Sequence, residues 1–332
     1  MDPLNPPPPE APFYDRTHDR WVLSRYADVL AAFREPRLWP VGARPRERSQ
    51  IGDSVAQARL RADLQSALAP AKLAGWETRL ESMARETAAA LPAGKPVDLV
   101  GTFAMPWSLR VATVVTGADP ARAEELADLA RAVSAAAAEP YDDALQAAKA
   151  AANPQLERHF ENARMPMAAA AFVALSHTLP CLLADIWLAL LRHPAEMAAL
   201  RDGADMPRAI EELLRYAGLA RMLFRQAIGQ VEAGLGSITI PEGGSVVLRV
   251  ASANRDPEQF AEPNRLDLAR RPAGQLSLGA GGHSCAGAFL IRMAVTVGTR
   301  AFVHRFADAQ VIEPLEWQGG SGFQSPRALW VK

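Results

Sequence analysis

A cysteine in a glycine-rich loop is the first residue of this chain with a clear chemical use. Cys285 sits in Leu278-Gly-Ala-Gly-Gly-His-Ser-Cys-Ala-Gly287, which runs into an apolar helical stretch from Ala288 to Val297. Gly279, Gly281, Gly282 and Gly287 let the backbone fold tightly and bring bare N–H groups close to the sulfur. A helix beginning just after the cysteine adds its positive end, which favours thiolate over thiol. A thiolate held by backbone donors is what an iron in a porphyrin takes as a strong axial donor. The same residues admit other chemistry. They could form an ordinary turn around a small hydrophobic cysteine, half of a zinc site with His283, or a Cys–His nucleophile pair. A dinucleotide fingerprint is excluded, because Ser284 stands where its last glycine belongs.

A second constellation is Glu212-Leu-Leu-Arg215, an acid and a base three apart on one helical face. Taken alone, such a pair is a surface contact worth a few tenths of a kcal/mol. Here it precedes a long stretch, Asn254 to Gly282, that is rich in Pro, Arg, Asp and Gly without strong periodicity. Irregular runs of that length inside a compact domain are usually functional and need anchoring. The stretch itself supplies Arg265, in Phe260-Ala-Glu-Pro-Asn-Arg-Leu266.

The elements that must position these residues are mainly helical. A short strand at Arg20 to Ser24 precedes a helix opened by Tyr26-Ala-Asp28, and Gly42 to Ser54 reads as a polar loop. Helical patterns then cover Val55–Ala67, Lys72–Leu91, Val97–Val115, Pro120–Ala138 and Tyr141–Ala163. Met165 to Leu191 is long and apolar, interrupted by Ser176, His177, Thr178, Pro180 and Asp185. Those interruptions, without aromatic or basic flanks, favour a helix through the core over a membrane span. Pro194–Leu200 and Pro207–Tyr216 continue helically. Ser237–Ile240 and Ser245–Val250, joined by Pro-Glu-Gly-Gly, read as a hairpin. The cysteine helix reaches about Val303, and a short β-rich tail follows.

The 332 residues can bury a large core, and 49% hydrophobic with 22% charged content is that of a globular protein. A net charge of −1 gives no electrostatic case for nucleic acid or an acidic membrane surface. Two distant cysteines argue against a disulfide framework and fit a reducing cytoplasm. Residues 1–12 form a Pro-rich lead-in without a signal-peptide pattern. With no repeat and no linker, one mainly α domain over 1–332 is expected.

In order and spacing, four motifs together resemble the cytochrome P450 family of the soluble bacterial type. They are Glu212-x-x-Arg215, Ala253-Asn-Arg-Asp-Pro257, Glu262-Pro-Asn-Arg265 and Gly279-x-Gly281-x-His283-x-Cys285-x-Gly287. The good match runs from about Leu188 to Arg305, with weaker similarity over Trp21–Leu38 and Arg59–Leu73. The resemblance implies an α-rich fold with small β-sheets and heme b between the long apolar helix and the cysteine helix. It implies Cys285 as the iron ligand, with Leu278, Gly279, Gly281 and Gly287 shaping its loop. It also implies Arg61, Arg225 and His283 on the propionates, and a buried triad of Glu212, Arg215 and Arg265. A monooxygenase acting on a small, largely apolar molecule is expected, fed by ferredoxin and ferredoxin reductase docking near Arg59, Arg292 and Arg300.

The chain departs from that pattern in informative places. Gln57 stands where the family usually has a histidine, and Leu278 where it has an aromatic. The lead-in, the segment before Arg61 and the region from Leu91 to Met165 are abbreviated. In the long helix, Ala174-Leu-Ser-His-Thr178 falls where Ala-Gly-x-acid-Thr is usual. Thr178 and His177 are therefore the catalytic candidates, with a histidine that titrates near neutrality in the acid's place. Pro180 removes the N–H that Ser176's carbonyl would accept and should distort the helix there. Ala174, Leu175, Leu219 and Phe323 are the pocket candidates. These departures keep open a peroxide-driven or non-oxygenating enzyme, and a heme-binding sensor or scaffold without turnover.

Overall fold

The computed structural model describes residues 3–41, 59, 61–234, 236–271 and 274–332. Its axis is helix α6, Ala168–Leu191, whose most apolar window is 78% buried. It is therefore a core helix, as the polar interruptions predicted. Earlier helices are α1 (Tyr26–Arg34), α2 (Pro70–Ala89), α3 (Met105–Thr116), α4 (Ala123–Ala138) and α5 (Asp143–His159). After α6 come α7 (Pro194–Arg201), α8 (Met206–Ala217) and α9 (Ala288–Arg305), the helix after the cysteine loop. The boundaries have local causes. Pro70 opens α2, and Asp142 and Asp205 cap α5 and α8 by accepting N–H groups of Leu145 and Arg208. Gly117 closes α3 in the left-handed region, φ 74°.

The core joins α6 to α9. Trp187 of α6 stacks on Phe302 of α9 with ring centroids 4.9 Å apart, and Phe103 meets Trp187 at 4.9 Å from the other side. All three rings are fully buried. Burying each contributes about 1.5–3 kcal/mol, so this column fixes the distance between the two helices. Gly298 of α9 permits the approach of α3, since a Cβ there would lie 2.9 Å from the Trp107 ring.

A second, smaller core lies under a five-stranded sheet ordered β1-β2-β8-β5-β3. Its strands are β1 (Phe13–Asp15), β2 (Arg20–Leu23), β3 (Leu38–Pro40), β5 (Leu223–Ala227) and β8 (Ser245–Leu248). The expected hairpin of Ser237–Ile240 with Ser245–Val250 does not form. The strand at Ile238–Ile240 (β7) pairs antiparallel with β6 (Val231–Ala233), whereas β8 runs parallel to β2 and antiparallel to β5. Val246, Val247 and Leu248 are all buried, so that strand needs cover on both faces and takes a central position. The tail gives β9 (Trp317–Gly319), β10 (Gln324–Pro326) and β11 (Trp330–Val331), the last pairing with β4 (Val97–Asp98). The expected loop at Gly42–Ser54 and Gln57 lie outside the described residues, as does most of the segment before residue 61.

Candidate functional site

The irregular segment from Asn254 to the cysteine loop is held by a polar network with a buried carboxylate at its centre. Glu212 takes a two-pronged contact from Arg215 on the same helix, at 2.7 and 2.8 Å. Arg215 spends its other donors on the carbonyls of Asn254, Pro263 and Arg265. The third member is Arg270, whose Nε lies 3.0 Å from Glu212 Oε1, and not the expected Arg265. Arg265 is corrected for a backbone reason. Glu262 adopts φ 45°, and the turn closed by Arg265 N to Glu262 O throws the Arg265 side chain outward. There it is 61% exposed and pairs with Glu262 at 3.3 Å, while its carbonyl turns inward to accept from Arg215 and Arg270. A carboxylate removed from water needs such saturation, because one left bare is very costly.

The approach to the cysteine is fixed in the same way. Asn254 Oδ1 accepts the Leu276 N–H at 2.8 Å, and its amide reaches Ser277 Oγ, also at 2.8 Å. Ser277 in turn donates to the Leu214 carbonyl at 2.6 Å. Gly218 makes room for this, since a Cβ there would sit 2.1 Å from Ser277 Oγ. Arg255 stacks on Tyr216, 3.7 Å from the ring centroid. Asp256 accepts the Tyr26 N–H at the start of α1. These are functional supports that residue-by-residue reasoning missed; their signal was the polar density of Asn254-Arg-Asp-Pro257 itself.

Within the loop, Cys285 N donates to the Leu278 carbonyl at 2.7 Å. Gly279 and Gly281 take φ 69° and 66°, conformations costly for other residues. A Cβ on Gly281 would lie 2.6 Å from the Phe33 carbonyl of α1, so the loop rests directly on that helix. Arg61 donates to the carbonyl and, at 2.9 Å, to the hydroxyl of Ser284. Arg225 of β5 is buried and lies over the Phe33 ring at 5.9 Å, so Phe33 links it to the loop. Its guanidinium donates to the Phe224 carbonyl and meets no carboxylate among the described residues. Burial pulls its pKa down to about 10, which leaves it charged at neutral pH. Burial pushes the Cys285 thiol up, against the opposing pull of the Gly287 N–H and of Arg61 and Arg292. The expected preference for thiolate is therefore not supplied by the polypeptide alone, because desolvation outweighs one N–H and two partly screened cations. The side chain of His283 lies outside the described residues.

Across the core, the strip Ala174–Thr178 is a π-helical turn, with Leu179 N bonded to the Ala174 carbonyl. Pro180 follows at the second position of the α-helical continuation. The distortion expected from the proline is present as a one-residue widening, in the form that commonly marks functional sites. Ser176 returns its hydroxyl to the Phe172 carbonyl at 2.7 Å. Thr178 is half-buried. Leu175 is packed in the core. His177 departs from expectation. Burial, and then the nearby Arg131, lower its pKa to about 4, so it is a neutral imidazole near neutrality rather than a titrating one. Leu219 and Phe323 line a cavity beside His177, whereas Ala174 and Leu175 do not.

Comparison with known proteins agrees with this architecture. The cytochrome P450 family profile matches residues 195–313. The chain is 28% identical to cytochrome P450 107B1 of Saccharopolyspora erythraea, over 90% of this chain and 86% of that protein. It is also 28% identical to the vitamin D(3) 25-hydroxylase of Pseudonocardia autotrophica, over 87% and 80% of the two chains. The crystal structure of CYP109B1 from Bacillus subtilis superposes with a TM-score of 0.83, covering 97% of this chain and 95% of that one at 22% identity. By profile, sequence and fold, this chain is a relative of the cytochromes P450.

Cytochromes P450 bind heme b, iron protoporphyrin IX. The residues present fit that group. Arg225, a buried cation without a carboxylate partner among the described residues, suits a propionate. One cysteine in a glycine-rich loop suits a sulfur donor to iron. Among the described residues, which do not include the His283 side chain, no three His, Cys, Asp or Glu side chains cluster.

Proposed function

We propose that this chain is a heme-thiolate monooxygenase that oxidises a small, largely apolar organic molecule, using O2 and electrons from a separate ferredoxin and its reductase. When bound, the heme supplies the oxygen-activating chemistry. Cys285 would hold its iron, with Gly279, Gly281 and Gly287 leaving space around the sulfur and the Leu278 carbonyl accepting the Cys285 N–H. Arg225, Arg61 and His283 would take the propionates. Glu212, Arg215 and Arg270 hold the segment that carries the loop, so they position the sulfur without touching the cofactor. Thr178, on the widened turn, offers a hydroxyl for proton transfer, and Leu219 and Phe323 shape the substrate side. The observation that carries the reading is Arg225, a buried cation that meets no carboxylate among the described residues and lies one residue contact from the cysteine loop. A soluble, cytoplasmic protein with this whole chain as its heme domain accords with the buried α6 and the bacterial relatives.

The reduced carbon monoxide difference spectrum tests the reading. A red-shifted Soret band that Cys285→Ala abolishes is expected; the same band in both proteins would assign the sulfur elsewhere. One observation favours a second reading. His177 lacks proton affinity near neutral pH, which weakens proton delivery during O2 use and favours peroxide as oxidant. Turnover with hydrogen peroxide but not with reductase and O2 would establish it. Turnover by neither route would leave a sensor or scaffold.

A further inference from the structure

A cavity with several polar side chains in its wall lies beside His177. It measures about 210 Å³, and its wall includes Arg131 and Ser134 of α4, His177 of α6, and Ser325 of β10. Among the described residues, Arg131 is the one charged side chain in that wall and no carboxylate lines it. Its ion-pair partner, Asp128 at 2.9 Å, is 70% exposed and stands outside the wall. The Ser134 and Ser325 hydroxyls belong to buried residues. His177 Nδ1 is buried and meets no hydrogen-bond partner among the described residues.

A buried ring nitrogen without a partner costs about 1–3 kcal/mol, so a ligand atom that meets it gains correspondingly. The chemistry of that atom follows from its neighbours. A guanidinium accepts nothing and donates to oxygen, preferring an anion. Hydroxyls and a neutral imidazole each present an N–H or O–H to the same acceptor. An oxyanion satisfies the whole wall, whereas an apolar group satisfies none of it. A neutral alcohol would bring the cation no charge beyond that of the exposed Asp128.

We infer that this cavity receives the acidic end of the substrate, a carboxylate or comparable oxyanion, gripped by Arg131 and His177 while the apolar body extends past Leu219 and Phe323. The inference deepens the heme-thiolate reading and rests on it. It makes Arg131 and His177 specificity-determining residues and narrows the substrate class to amphipathic acids. His177 thereby serves the substrate's acid rather than the proton supply.

The test uses the heme-loaded full chain and two probes of equal chain length, 1-decanesulfonate and 1-decanol, titrated below micellar concentrations while the heme spin state is followed. The sulfonate should bind about tenfold or more tightly than the alcohol, a difference typical of charge-assisted contacts. Arg131→Gln should remove most of that preference, and His177→Phe should weaken sulfonate binding more than alcohol binding. Arg131 is half exposed, so its variant folds independently of any disturbance that His177→Phe brings to the core. Equal affinities, no response to the sulfonate, or a preference that survives Arg131→Gln would overturn the acid site. Any of these in a preparation with the thiolate carbon monoxide band overturns the acid site alone. Absence of that band overturns the heme-thiolate reading and the acid site with it.

Discussion

Glu212 Oε1 alone accepts from Arg215, from Arg270 and from the backbone N–H of Asp267 at 3.1 Å, so one oxygen anchors both the helix and the segment beyond it. Arg270→Ala should therefore destabilise the protein by about 2–3 kcal/mol, because it strips a charge-assisted contact from a buried acid. Arg265→Ala should stay within about 0.5 kcal/mol, as for other exposed sites. Urea midpoints of the two variants decide the matter; equal losses would restore Arg265 to the triad. The acid and first base were legible in Glu212-x-x-Arg215 because helical geometry fixes that contact. Arg270 was not, because a backbone twist at Glu262, invisible in residue types, decides which arginine turns inward. His177 gives a second test at this scale. Its folded pKa of about 4 lies below the roughly 6.5 of an unfolded chain. As pH falls, the unfolded chain takes up this proton first, so stability is full above about 6.5 and declines toward about 4. The loss attributable to this residue is about 3 kcal/mol. Denaturation midpoints of His177→Gln should fall less steeply across that window than those of the parent; parallel curves would contradict the neutral assignment.

Among the elements, α8 and the segment beyond it meet where Gly218 leaves space. Gly218→Ala would drive a methyl into Ser277 Oγ and, at 2.4 Å, the Leu214 carbonyl. The expected cost is about 1–3 kcal/mol, with reduced heme retention because Ser277 then releases Asn254. Absorbance of heme per protein after gel filtration, beside the thermal midpoint, measures both. The helices were legible from apolar periodicity and proline or aspartate boundaries, and the widened turn of α6 from Pro180. The sheet was not. Residues 246–248 are three apolar positions in a row, and such a run does not reveal its partners. A turn-like Pro-Glu-Gly-Gly beside it pointed to the nearest strand, while burial on both faces sent it between β2 and β5.

At the scale of the molecule, the proposed electron supply has a surface consequence. Arg292 and Arg300, expected to greet an acidic partner, already pair with Glu211 and Glu81. Arg59, the third of these arginines, is exposed. Reduction by a ferredoxin should therefore slow with added salt and slow further in Arg59→Glu, as steered encounters do. Stopped-flow rates at two ionic strengths test this, and identical rates for both proteins would place the partner elsewhere.

The parallel pairing of β2 with β8 joins Trp21 to Val246 and Leu23 to Leu248, with Tyr26 N bonded to Asp256 a few residues on. During synthesis, the first strands wait for more than two hundred further residues before their neighbours leave the ribosome. At ordinary elongation rates that is on the order of ten seconds or more. For that interval the apolar face of β2 and its open edge are exposed, which makes the nascent N-terminal segment a natural client for a ribosome-associated chaperone.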